Sequence, residues 1–217
     1  MTPDPKPAQD TRTRLLEGTL RTLAEQGVAR TSARTVAAAA GVNQALVFYH
    51  FGSVELLLAA ACRYGAERAV ARHRPRFAAV TSLAELLALG REIHHRERAG
   101  GHVALLGQLL AGARTHAALG PAAAAALDLW ITEIEKVLDR VLPGTPCGEF
   151  TDPPGLARAM AAAFVGIELY EGADAPGATA ALNALEHLGA LVAALGELDP
   201  AARQAIRRRL RRASARR

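Results

Sequence analysis

The segment running from Thr35 to Phe51 constrains this chain most, because it sets two short helix-forming runs on either side of a single glycine. Ala37 is small enough for two helices to cross closely, Gly41 suits the left-handed conformation of a tight turn, and Val42 and Val47 are placed to seal the crossing. Asn43 is a residue type favoured at a helix N-cap, so the second helix is expected over Asn43 to His50. Ahead of this segment, Thr11 to Gly27 repeats leucine at Leu16, Leu20 and Leu23 on one helical face and ends at a glycine. The spacing predicts three helices before Phe51, the last two forming a helix-turn-helix.

The joint spacing of Gly27, Thr31-Ser32-Ala33-Arg34, Ala39-Ala40-Gly41-Val42, Phe48-Tyr49-His50-Phe51-Gly52-Ser53 and Glu55-Leu56-Leu57 resembles the N-terminal domain of the TetR family of transcriptional regulators. The resemblance covers the first quarter of the chain. It implies a DNA-binding domain over residues 11–71 and a helical ligand-binding and dimerisation domain over 72–215. It further implies a homodimeric repressor on a palindromic operator, released when a small molecule enters the C-terminal domain. The helix of residues 43–50 would then enter the major groove, with Gln44 and Leu46 near base edges and Ala45 offering apolar contact to a thymine methyl. Tyr49, His50 and Asn43 would hold the phosphate backbone, and Arg34 on the preceding helix would reach a base or a phosphate. Phe48 and Phe51 read as core packing. Two departures weaken the phosphate grip: Val54 stands where the family has a lysine, and Phe48 where it has a tyrosine.

Composition points the same way. Half of the 217 residues are apolar, with many alanines and leucines and few β-branched runs, which favours an all-α fold with a substantial core. With no leader-like opening and no charge-free apolar run of bilayer length, a cytoplasmic protein without a membrane partner is expected. Cys62 and Cys147 lack metal-ligand or CxxC spacing and read as reduced, buried thiols, a redox switch being the other reading. The net charge of +5 is uneven, since eight arginines follow Asp199 and the remainder of the chain carries −3. That tail is either a solvated, fraying helix end or a nonspecific phosphate contact.

Beyond Phe51 the pattern predicts amphipathic helices over Ser53–Arg72, Ser82–Arg98 and His102–Ala113, with a break at Pro75. A long segment after Gly120-Pro121 ends near Leu142, and Pro143–Pro146 begins the largest loop. Pro154–Glu171 and Gly177–Leu198 close the series. Leu156, Met160, Phe164 and Ile167 on the first of these last two, with Leu185, Leu188, Val192 and Leu195 on the second, form faces expected to build a dimer interface. Packing within one subunit is the alternative. Candidate ligand contacts are His94, His102, Leu105, Leu109, Leu127, Trp130, Ile131, Phe164 and Tyr170.

No phosphate loop, Gly-x-Ser-x-Gly elbow or His-Glu-x-x-His occurs, and Glu168 with Glu171 reads as a solvated helix face, so neither an enzyme, a cofactor nor a metal is expected. The expected partners are an operator in double-stranded DNA, a second copy of the chain and a small molecule of unidentified structure. The competing reading is a helical architectural or protein-interaction module whose helix-turn-helix has lost specific DNA binding.

Overall fold

The computed structural model describes residues 5–97, 102–113, 119–143 and 145–214. Among them the fold is all-α and without strands. The helices are α1 (Pro5–Gln26), α2 (Ala33–Ala40), α3 (Ala45–Phe51), α4 (Val54–Ala79), α5 (Leu83–Glu97), α6 (His102–Gly112), α7 (Leu119–Val141), α8 (Pro153–Glu171), α9 (Ala175–Glu197) and α10 (Pro200–Ser214). They group into two compact units, Met1–Ala71 with His95–Leu129, and Arg72–His94 with Trp130–Arg217.

In the first unit, the leucine stripe of α1 meets a helix made almost entirely of small residues. Leu15, Leu16, Ala33, Val36, Ala37, Ala40, Val47, Phe51, Leu57 and Ala61 form one buried cluster, with Leu20, Val42, Leu46, Val54 and Tyr64 packed around it. Thr19 and Thr22 are also buried on α1, their hydroxyls donating to the carbonyls of Leu15 (2.7 Å) and Gly18 (2.8 Å) one turn back. A second bond set ties α4 to α1: Glu17 Oε1 accepts from the Tyr64 hydroxyl at 3.1 Å and from Arg68 at 2.8 Å.

α4 runs on through Pro75, contrary to the break expected there. Proline removes one helix bond and crowds the preceding turn, a cost of about 3 kcal/mol in a helix interior. Tertiary contacts offset it. His73, Phe77 and Val80 are buried on one stripe, His73 and Phe77 lie against Trp130 with ring centroids 6.3 and 6.5 Å away, and Arg140 donates to the carbonyls of Phe77 (2.9 Å) and Val80 (3.0 Å) at the helix end. Gly120-Pro121 likewise lies inside the first turn of α7 rather than before it, a position where the missing proline N–H has no intrahelical partner to lose.

In the second unit α5 is held against both α8 and α9. Gly90 admits the ring of Phe164, which a Cβ at that position would strike. Arg91 pairs with Glu186 at 2.7 Å and bonds Asn183. Asp152 and Asp174 cap α8 and α9 by accepting from the N–H groups of Gly155 (3.0 Å) and Gly177 (2.9 Å). The arginine-rich tail is helical to Ser214, and Arg211 donates to Glu149 at 2.7 Å, so its described part is docked rather than frayed. By length and composition α9 is apolar enough to cross a membrane, although Glu186 lies within it, so it is not the charge-free run whose absence the sequence indicated.

Candidate nucleic-acid interface

The helix-turn-helix is built by local capping and locked from behind. Ser32 and Thr35 form a capping box at the start of α2, the Thr35 N–H donating to Ser32 Oγ at 3.2 Å and the Ser32 N–H to Thr35 Oγ1 at 2.9 Å. At the other end Gly41 has φ 64°, ψ 41°, the left-handed conformation that reverses the chain without a Cβ penalty. The last carbonyls of a helix lack intrahelical donors and carry the negative end of its dipole. Here Arg14 donates to the carbonyls of Ala40 (2.8 Å) and Gly41 (2.9 Å), and Arg21 to that of Ala39 at 2.5 Å. Sequence reasoning missed both arginines; their i, i+7 spacing on the polar side of α1 was the available signal.

α3 begins two residues later than expected, at Ala45, because the chain first makes a tighter turn in which the N–H groups of Leu46 and Val47 donate to the carbonyls of Asn43 and Gln44. Asn43 still serves the helix start, its Oδ1 accepting from the Ala45 N–H at 2.8 Å. Val47 and Phe51 are buried, and the Arg12 guanidinium lies 5.1 Å from the centre of the Phe51 ring.

With that face inward, Asn43, Gln44, Ala45 and Tyr49 are exposed, as is Arg34 on α2; Tyr49 is 79% accessible. His50 is half-buried, its ring edge-on to Tyr49 at 5.0 Å. Two expectations change. Leu46 packs against the core cluster and presents only part of its side chain outward. Phe48, expected in the core, is 48% accessible, because it lies one turn from Gln44 on the outer face while Val47 and Phe51 occupy the inner one. Val54, which stands where the family has a phosphate-binding lysine, packs against the core. The resulting surface offers an amide with both donor and acceptor groups, a phenol and two apolar contacts at one short helix, with the exposed cation Arg34 on α2: groups suited to base edges, thymine methyls and phosphates.

The remaining predicted residues are dispersed. In the first unit Leu105 and Leu109 are buried and Leu127 is half-buried; the His102 side chain is outside the described residues. A cavity of about 580 Å³ in that unit is lined by Arg12, Leu16, Ala60, Arg63, Tyr64 and Pro121 among others, and by none of the predicted ligand contacts. In the second unit Ile131 is buried, Trp130 and Phe164 are half-buried, and Tyr170 is exposed with its hydroxyl donating to Asp174 at 2.7 Å. His94 is buried between Glu168 and Glu171, which therefore do not form a solvated face. Of the predicted interface residues, Met160 and Ile167 are buried within the chain, Leu156, Phe164, Leu185, Val192 and Leu195 are half-buried, and Leu188 is 56% accessible. Leu191, 62% accessible, and Leu169 were missed on the outer side of the same pair.

Comparison with known proteins agrees with this geometry. Residues 15–61 match the model of the bacterial regulatory proteins of the tetR family. The multidrug binding protein EbrR, solved with imidazole, is 30% identical, covering 82% of this chain and 93% of its own, with a TM-score of 0.57. A TetR-family transcriptional regulator from Cytophaga hutchinsonii superposes with a TM-score of 0.71 at 20% identity, over 86% of this chain and 96% of that one. The fatty acid degradation regulator FadR from Bacillus halodurans gives 0.64 at 17% identity, over 86% and 99%. Among curated proteins none matches in sequence. The chain belongs to the TetR family of bacterial transcriptional regulators, a class of DNA-binding proteins and not of enzymes.

Proposed function

We propose that the chain is a homodimeric repressor that binds a palindromic operator through the helix of residues 43–50 and is released by a small molecule held in its C-terminal half. Residues 11–71 act as the DNA-binding domain and 72–215 as the ligand-binding and dimerisation domain, and the protein works in the cytoplasm. The observation that carries the reading is the exposed edge of α3, where Gln44, Ala45, Phe48 and Tyr49 share one outer surface of a helix whose inner face is locked by Val47 and Phe51.

Dimerisation is supported by α9, whose Leu188 and Leu191 stand in solvent on an otherwise apolar helix. A two-fold axis there would present two reading helices to half-sites one DNA turn, about 34–36 Å, apart. Ligand release is supported by the name of one structural relative, a multidrug binding protein solved with imidazole. Trp130, Ile131 and Phe164 are the candidate apolar contacts in the second unit. The ligand acts by binding DNA-competent and DNA-incompetent dimers with different affinity.

The test is selection from random-sequence duplexes followed by fluorescence anisotropy across a salt series, with the Gln44→Ala/Tyr49→Ala double variant alongside. Each good base contact contributes about 1–3 kcal/mol, whereas a lost phosphate contact weakens every duplex alike, so the variant loses at least about tenfold in affinity for the selected site and less for a shuffled duplex. A selection that enriches nothing, with equal binding to shuffled DNA, overturns the proposal in favour of a helical interaction module. The absence of a cation at Val54 favours that second reading.

A further inference from the structure

We propose that His94, Glu168 and Glu171 form a binding site for a divalent transition-metal ion of the zinc type, separate from the DNA-reading surface. His94 projects from α5, and the two glutamates stand three positions apart on one side of α8. The imidazole lies between them, Nδ1 3.1 Å from Glu168 Oε2 and Nε2 3.1 Å from Glu171 Oε2. All three side chains are withdrawn from water, that of His94 to 3% exposure, Glu168 to 9% and Glu171 to 20%.

Three features argue for an ion here. One nitrogen and two carboxylate oxygens lie within 4.8 Å of one another. The carboxylates now meet opposite ring nitrogens, so zinc bonds of about 2.0–2.2 Å to one nitrogen and both carboxylates require one glutamate, or the imidazole, to rotate until both carboxylates face the same nitrogen, and the triangle to contract by about 1 Å. Two like charges one helical turn apart in a sparsely hydrated place also favour a cation between them, and a divalent ion supplies twice the charge of an imidazolium. The framework is already set: one turn before His94 and Glu168, Gly90 receives the Phe164 ring, which fixes the approach of α5 to α8. One imidazole with two carboxylates suits a borderline ion such as Zn²⁺ over Mg²⁺, and leaves coordination positions for water or an anionic effector.

The experiment uses tag-free full-length protein, stripped with chelator and dialysed against Zn²⁺, with metal content, calorimetric affinity and thermal unfolding as readouts, and requires no DNA. One zinc per chain, a higher unfolding temperature with zinc, weak Mg²⁺ binding and at least a tenfold loss of zinc affinity in both His94→Ala and Glu168→Gln support the site. Glu171→Gln provides a third, more exposed substitution where either of the others unfolds, its foldedness checked by circular dichroism. Absence of stoichiometric zinc, or zinc bound with unchanged affinity by folded variants, overturns the proposal and leaves a histidine clamped by two carboxylates.

Discussion

The helix-turn-helix and the α8–α9 pair are made from the same alanine- and leucine-rich material but finish differently. In the former, ten buried residues close a core of their own, and three arginines of α1 complete it from outside, two on the final carbonyls of α2 and one over the Phe51 ring. In the latter, Ile167, Ala178 and Leu182 form a shared buried cluster, and Leu169, Leu188 and Leu191 face outward. The contrast shows that helix-forming composition does not decide self-sufficiency. What decides it is whether large and small side chains fill one another's space across the crossing, as Leu15 and Leu16 do in one buried cluster with Ala33, Ala37 and Ala40 of α2.

The sharpest way to break the comparison is to charge the unfinished face. Leu188→Glu/Leu191→Glu removes about 3–6 kcal/mol of association energy, taking about 1.5–3 kcal/mol for each buried leucine, and sedimentation should show a monomer whose thermal transition is otherwise retained. A dimer unchanged by both charges would remove α9 from the interface. The finished core responds in the opposite sense. Leu15→Ala lowers stability by about 2–5 kcal/mol in denaturant unfolding, with no change in association between folded chains.

Gly41→Val probes the turn itself. It places a β-branched side chain at φ 64°, where an added Cβ would lie 3.1 Å from Arg14, and should cost at least about 1–2 kcal/mol and weaken DNA binding through misplacement of α3. The two thiols sharpen the comparison by pH. Burial pushes the Cys62 thiol from 9.0 up to about 12, so the folded chain keeps a proton that the unfolded chain releases. That contribution is whole below pH 9 and declines as pH rises towards 12, by about 1.4 kcal/mol per unit. Native Cys62 should therefore resist alkylation at pH 8 while the half-buried Cys147 reacts. The smallest effect belongs to the tail: Arg211→Ala breaks an exposed pair with Glu149 and should cost about 0.2–1 kcal/mol, less at high salt.

Much of the helix-turn-helix unit was legible because its signals are local. Gly41, Ala37, Val47 and the leucines of α1 each specify a backbone conformation or a face within a few residues, and the structure keeps them in those roles. The orientation of α3 was half legible. Gln44 and Tyr49 were expected outside, but Phe48 was assigned inward by its hydrophobicity when its position one turn from Gln44 places it outward.

By itself, then, the sequence determined the all-α class, the helix-turn-helix with its left-handed glycine, and the outward placement of Gln44 and Tyr49, since turns, caps and helical periodicity act over three or four residues. Only the tertiary structure decided that α4 continues through Pro75, that Arg14 and Arg21 close the C-terminus of α2, and that Glu168 and Glu171 turn inward to His94. Each of these depends on groups far apart along the chain: Phe77 against Trp130, α1 against α2, α5 against α8. A proline's cost, a free carbonyl or a carboxylate's solvation is settled by what packs against it, and no short window of sequence contains that neighbour.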